Sequence, residues 1–341
     1  MSEACKSVMF FAHDAGGANA ISPLIRAFKT PLVFAENAAL EILPNARRLP
    51  YGDLGEVIKS LDPSFIVTGT SGNDFTERDL WRESAKLGIT SMAVLDSWVN
   101  YGVRFSDLTI RDLHLFRKDC TRLPDYICVP DLIAMDDMIK DGVPEQRILP
   151  FGNPHFEEVA ANANKSNNSD VSGTRVLFAS QLFDDNVLCG SELIVLDELI
   201  QVAKSYDDVK IVIRRHPKET LQKFEKYLDG SRVTPDENDD VYESVRQSET
   251  VVSVNSMVLI ESLFFGKKII SFQPKSNSKD DFILTRNGTI PFINDSVKFA
   301  EYFRELYHKR VCTTKTDIKC RGIVAKITEF IEGKINGETC D

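Results

Sequence analysis

The chain has 341 residues, 43% hydrophobic and 27% charged, which suits one large or two ordinary globular domains and excludes a disordered or low-complexity chain. Its formal net charge of −10 argues against a general nucleic-acid binder and against docking on an anionic membrane surface, because phosphate-rich partners select basic surfaces. Seven scattered cysteines, Cys5, Cys120, Cys128, Cys189, Cys312, Cys320 and Cys340, form no CxxC pair, so reduced thiols are expected rather than a zinc site or disulfide framework.

Short apolar runs alternate with amphipathic segments along the whole chain. In the first half, strands are predicted at Val8–Ala12, Pro31–Ala35, Phe65–Gly69, Thr90–Leu95, Tyr126–Val129 and Ile148–Phe151. Helices are predicted over 18–28, 75–87 and 131–141. Val8–Ala12 is too short for the apolar core of a signal peptide, and no apolar run approaches the roughly 18 residues of a membrane span, so a cytoplasmic protein is expected. Residues 163–174 are rich in Asn and Ser and read as a linker or surface loop.

Beyond that loop the rhythm begins again. Strands are predicted at Arg175–Ser180, Val209–Ile213, Thr250–Val254 and Lys268–Phe272, with helices over 191–206, 221–228, 257–265, 297–307 and 316–335. A βαβα alternation implies a parallel sheet covered on both faces by helices. The expected fold class is therefore α/β, with two Rossmann-like doubly wound domains facing a cleft: residues 1–160, a linker over 161–174, residues 175–315, and a C-terminal helix and tail over 316–341.

The strongest motif is Arg214-Arg215-His216-Pro217-Lys218-Glu219, directly after the apolar run Val209–Ile213. Cations at the carboxyl end of a buried strand are suited to an anionic ligand, and Arg214 and His216 can donate charge-assisted hydrogen bonds to phosphate. Ser253, Asn255 and Ser256 stand where the next strand runs into a helix whose free N–H groups and dipole favour an anion. Glu261 lies further along that helix and could reach ribose hydroxyls. The two stretches together read as halves of a phosphate clamp; the alternative is that His216-Pro217 caps a strand and Glu261 is solvated.

In the first half, His13-Asp14-Ala-Gly16-Gly17 follows the first strand, and the glycines permit a tight turn and close approach to a ligand. Asp14 or His13 is the candidate general base, with helix capping by Asp14 as the alternative. Asp74 and Glu77 follow the Phe65–Gly69 strand and could bind sugar or cap a helix. Asp96, Trp98 and Asn100 follow the Thr90–Leu95 strand and could bind an acceptor. There the alternative is a buried Trp98 and an Asp96–Arg104 pair. His155, after Gly152-Asn-Pro, completes the acceptor-side candidates.

Arg214-Arg-His216-Pro217 resembles the His-Pro motif of bacterial sialyltransferases, capsule polysaccharide transferases and CDP-glycerol glycerophosphotransferases. Ser253 to Ser256 with Glu261 resembles the phosphate loop of the same group. The resemblance implies a GT-B-type glycosyltransferase whose His216 and serines hold the phosphates of a CMP-, CDP- or UDP-activated donor. The paired acids followed by glycine that sialyltransferases use as base are not matched; Lys140-Asp-Gly142 is a poor substitute. The Gly-Gly turn and Gly152-Asn-Pro154 also resemble UDP-GlcNAc 2-epimerases and UDP-sugar hydrolases of this fold.

The expected activity is transfer of a sugar or polyol phosphate from a nucleotide-activated donor to a carbohydrate or polyol hydroxyl, in surface-polysaccharide or glycoconjugate assembly. Arg214, His216, Ser253 and Ser256 would offset the leaving phosphate's charge, so no metal and no permanently bound cofactor is expected. A UDP-sugar 2-epimerase or hydrolase, or a non-catalytic sugar-nucleotide-binding scaffold, are the other readings.

Overall fold

A computed structural model describes residues 7–164, 174–183, 190–276, 282–308, 318 and 320–337 of the chain. The chain divides into two compact units, Met1–Glu158 with Ile318–Asp341, and Val159–Asp317. The core of the expected linker, residues 165–173, lies outside the described residues, as do Cys5, Cys189, Cys312 and Cys340.

Unit 1 is a six-stranded parallel sheet built from β1 (Val8–Ala12), β2 (Leu32–Ala35), β3 (Phe65–Thr68), β4 (Ser91–Val94), β5 (Tyr126–Cys128) and β6 (Ile148–Leu149). Its strand order is β2-β1-β3-β4-β5-β6. The helices are α1 (Ala15–Ile25), α2 (Ala39–Ile42), α3 (Leu54–Leu61), α4 (Thr76–Lys86), α5 (Leu132–Lys140) and α6 (Pro154–Ala163), the last running across the boundary into unit 2. All five residues of β1 are buried, as expected for a central parallel strand covered on both faces. Alternate side chains serve different layers. Phe10 and Ala12 join the core under α1, whereas Met9 and Phe11 pack with Ile58 of α3 and Leu80 of α4.

Unit 2 is a five-stranded parallel sheet of β7 (Thr174–Ala179), β8 (Val209–Arg214), β9 (Val233–Pro235), β10 (Thr250–Ser253) and β11 (Lys268–Ser271), ordered β11-β10-β7-β8-β9. Its helices are α7 (Ser191–Ala203), α8 (Val241–Arg246), α9 (Met257–Phe264), α10 (Ile283–Arg286) and α11 (Ser296–His308). Val195, Leu196 and Leu199 of α7 meet Phe299 and Phe303 of α11 in one core.

The last helix, α12 (Ile323–Asn336), belongs to unit 1. Ile323, Ile327 and Ile331, four residues apart, form one fully buried stripe in that unit's core. The Glu157 carboxylate accepts from the Gly322 and Val324 N–H groups at 2.9 Å, satisfying the helix start and complementing its dipole. Gly152 must be glycine: its φ is +113°, and a Cβ there would stand 2.7 Å from Ile323 Cδ1.

The segment read as a free linker from residue 161 begins as the last turn of α6. That helix escaped the sequence reading because Asn-Pro-His resembles a loop, although proline favours the first helical turn. The segment Leu221–Tyr227 is a 3-10 helix, and α12 starts at Ile323.

Candidate functional site

In a doubly wound sheet, ligands bind beyond the carboxyl ends of the strands, where the order reverses and adjacent loops diverge. Unit 1 reverses between β1 and β3, and unit 2 between β7 and β10.

At the unit 1 reversal, His13 and Asp14 leave β1 while Gly69 to Asp74 leave β3. His13 Nδ1 lies 3.0 Å from Asp14 Oδ1, and its Nε2 lies 3.6 Å from Asp74 Oδ2. Glu77 in α4 accepts from the His13 backbone N–H at 3.3 Å and from Ser71 N–H at 3.0 Å, joining the two loops. Glu77 is 1% exposed, and burial pushes its carboxyl up to about 7, with the Asp14 charge adding to the rise and the Ser71 and His13 bonds holding it back. Burial alone would depress the His13 imidazole, but Asp14, Asp74 and Glu77 outweigh it and raise its pKa. Asp14 occupies the N-cap position of α1 yet makes no side-chain cap, which leaves its carboxylate to orient His13.

Around this cluster the structure assigns several candidates a framework part. Asp96 pairs with Arg104 at 3.1 Å, and its Oδ2 stands 2.0 Å from where a Gly16 Cβ would be. The protein's own carboxylate thus covers the Gly16 turn, so this glycine has a packing reason rather than a phosphate to cradle. A Gly17 Cβ would come within 3.0 Å of the Gly69 backbone. Gly17→Ala is expected to cost unit 1 about 1–3 kcal/mol through overpacking. Both tryptophans, Trp81 and Trp98, lie in unit 1, so urea unfolding followed by their fluorescence reads this cost; an unchanged midpoint would show that the loops yield freely.

Trp98 does not present its face to a sugar. It is buried, stacks on Phe156 with ring centres 5.8 Å apart, and donates Nε1–H to Asp131 at 2.7 Å. Asp74 accepts from Thr76 N–H at 2.8 Å as α4 begins, in addition to facing His13. Asn100 holds a left-handed φ of +55° in the loop after β4, and His155 sits in the first turn of α6.

A residue missed in the sequence is Arg78. Only 1% exposed, it donates to the carbonyls of Ser106 and Leu108 from one nitrogen and of Ser71 from the other, at 2.5–3.2 Å. It ties the β3–α4 loop to the long β4–β5 connection. The only available signal was an arginine beside Glu77 at a helix start.

In unit 2, the reversal brings together Gln181 after β7, Ser253 at the end of β10, and Val254 to Ser256 after it. Gln181 Oε1 accepts from Asn255 N–H at 2.9 Å, and its Nε2 donates to Asn255 Oδ1 at 3.1 Å. Ser253 corrects its expected role: fully buried, its hydroxyl lies 2.6 Å from Ala179 O and 3.1 Å from Gln181 Oε1, so it fastens the loop instead of meeting a ligand. Ser256 is the N-cap of α9, accepting from Val258 N–H at 3.3 Å. Glu261 is buried in the same helix rather than solvated.

The Arg214 motif divides its labour. Arg214 donates to Asp236 at 2.8 Å and to the carbonyls of Asn238 and Asp239, folding the loop after β9. Its guanidinium thus braces the wall of the site while still lining the cavity. Glu219, 6% exposed, accepts from His216 N–H at 2.7 Å, Ser180 Oγ at 3.0 Å and Lys223 Nζ at 2.5 Å. It is the organiser of the motif. His216 Nδ1 accepts from Lys218 N–H at 3.2 Å, which leaves the ring proton on Nε2. A cavity of about 190 Å³ is lined by Arg214, Arg215, His216, Pro217, Asp236, Asn238 and Asp239. Among the described residues no group of three or more His, Cys, Asp or Glu side chains is arranged to hold a metal ion.

No protein-family profile and no curated protein sequence matches the chain. Solved structures do. A putative UDP-N-acetylglucosamine 2-epimerase from Listeria monocytogenes superposes with a TM-score of 0.71 at 13% identity, covering 98% of both chains. The UDP-GlcNAc 2-epimerase of Neisseria meningitidis, bound to UDP-GlcNAc, gives 0.66 at 13% identity over 96% of this chain and 99% of that one. The wall teichoic acid polymerase TagF, soaked with CDPG, gives 0.55 at 14% identity over 97% and 89%. The chain therefore has the GT-B-like fold, two Rossmann-like units, that these enzymes share.

Proposed function

We propose that this protein is an enzyme acting on a nucleotide-activated sugar, and that it transfers the glycosyl or polyol-phosphate group to an acceptor hydroxyl. The observation that carries the reading is the carboxyl edge of unit 2. His216 Nε2–H and the exposed Arg215 stand beyond β8, and the N-terminus of α9 stands beyond β10, with β7 between them. Adjacent strands are about 4.8 Å apart, so the two donor groups are separated by a span on the scale of a nucleoside diphosphate rather than a single phosphate. Both can offset the charge of a leaving diphosphate without a metal.

The His13–Asp14 pair of unit 1 has the make-up of a general base, an imidazole oriented through Nδ1 by a carboxylate. Fold relatives bound to UDP or UDP-GlcNAc support the class of donor. A thermal-shift panel of CMP, CDP, UDP, GDP and ADP tests the pocket. A bound nucleotide at about 100 times its dissociation constant adds about 2.7 kcal/mol, a shift of several degrees. His216→Ala should weaken the responding nucleotide by about tenfold or more, the loss expected of a charge-assisted hydrogen bond. Silence across the panel removes the nucleotide reading altogether.

A second reading, UDP-sugar 2-epimerase or hydrolase, is favoured by the higher TM-scores of the epimerases over the polymerase. The reaction products decide. A 2-epimer or free UDP formed from UDP-GlcNAc without any acceptor supports the second reading, whereas acceptor-dependent nucleotide release supports transfer.

A further inference from the structure

We propose that Glu77 is a positioning residue for His13, clamping the two loops of the unit 1 reversal in its ionised form and releasing them once protonated. Resting on the reading of His13 as general base, this role needs no contact between Glu77 and substrate. Glu77 is the second residue of α4, and its two oxygens serve different loops. Oε1 accepts from the His13 N–H, between β1 and α1, at 3.3 Å. Oε2 accepts from the Ser71 N–H, between β3 and α4, at 3.0 Å. The loops cross closely beside this carboxylate: a Cβ on Gly69 would stand 2.8 Å from Gly17 Cα and 3.3 Å from Glu77 Oε1.

Consecutive residues of α4 hold both backbone groups of Ser71. Glu77 takes its N–H, and Arg78 Nη2 donates to its carbonyl at 3.2 Å. One side of the clamp is therefore fixed, and Glu77 passes that fixity to the His13 backbone. Protonation breaks the arrangement. A carboxylate offers acceptors on both oxygens, whereas a carboxylic acid turns one of them into an O–H donor. One of the two N–H groups would then face a donor. At 1% exposure, bulk water does not reach the carboxyl to replace the lost acceptor.

Burial pushes the Glu77 carboxyl up to about 7, the range in which an imidazole titrates. The charges around it come from three places. On the β1–α1 loop are Asp14, whose like charge adds to the rise, and the His13 imidazole. On the β3–α4 loop is Asp74, facing His13, and on α4 itself is the Arg78 guanidinium. The base therefore works only after two protons have left, one from the His13 ring and one from Glu77, and the two losses belong to a coupled pair.

The first test uses the full chain without nucleotide, so its outcome is separate from the donor reading. H13Q is prepared with isotope-labelled glutamine, and the one backbone amide signal absent from the wild type reports position 13 with no imidazole beside it. That signal should move through neutral pH in a single step, and adding E77Q should abolish the step. A flat signal, or a step that survives E77Q, overturns the proposal. The second test follows turnover with UDP-GlcNAc as the probe. On the acid side the wild type should lose about 100-fold per pH unit, and E77Q about tenfold, the fall of a single group. E77Q should also lower the plateau about 10²-fold with nucleotide affinity unchanged, the cost of a misplaced catalytic group. Trp81, four residues further along α4, reports by fluorescence that the helix stays packed. A one-proton limb in the wild type, or an intact plateau in E77Q, overturns the proposal. Absent turnover together with silence across the nucleotide panel removes the donor reading instead, and the amide titration still decides the clamp.

Discussion

His13→Gln is expected to lower turnover about 10²–10⁴-fold while leaving nucleotide binding intact, the usual cost of removing a general base. Glutamine keeps the bulk and much of the polarity beside Asp14, so the loss would report proton transfer rather than collapse. The pH dependence makes the assignment specific. A base must be neutral to act, so activity should rise as pH increases through the folded pKa of His13. Burial depresses that pKa, but Asp14, Asp74 and Glu77 together hold it above its ordinary 6.5. Asp74→Asn removes one of the raising charges and should move the rising limb to lower pH. A limb that stays in place would show that another group titrates. The same shift has a stability sign: it stabilises the fold below the unfolded pKa, and the benefit is lost as pH rises through the folded value. His13→Gln should therefore flatten the melting temperature across that window.

Arg78→Met is expected to destabilise unit 1 by roughly 3–5 kcal/mol. Methionine fills part of the volume but leaves the Ser71, Ser106 and Leu108 carbonyls without their donor in a buried setting. Because Trp81 and Trp98 both lie in unit 1, their fluorescence follows its unfolding without interference from unit 2. A urea midpoint lowered by less than about 1 kcal/mol equivalent would show that water replaces the guanidinium, and that Arg78 is no keystone. If Arg78 does position the loops, a milder Arg78→Lys variant should retain the fold and lose turnover more than affinity.

Much of the candidate chemistry was legible because strand ends are legible. Val209–Ile213 followed by Arg-Arg-His-Pro needs no neighbours to be recognised as a buried strand with cations at its carboxyl end. The same applies to the His13-Asp14 turn after Val8–Ala12. Local periodicity also sufficed for most helices, since an apolar stripe every three or four residues is visible in the chain itself. Trp98 shows the opposite case: an aromatic in a polar loop resembles a sugar platform until Phe156 and Asp131, distant in sequence, are found closing over it.

By itself, then, the sequence determined the α/β alternation, the two doubly wound halves and the strand ends at which ligands would be met. Those features follow from hydrophobic patterning and turn chemistry, which act over a few residues. Only the tertiary structure decided which polar side chains are spent on the framework. Arg214 goes to Asp236, Ser253 to Ala179, Glu219 to three donors from two strand ends and a helix, and Glu77 to two loops. It also decided that the final helix returns to unit 1 to complete its core. The reason is physical: a buried polar group must find its partner wherever the fold brings one, and that partner is set by sheet order, not by distance along the chain.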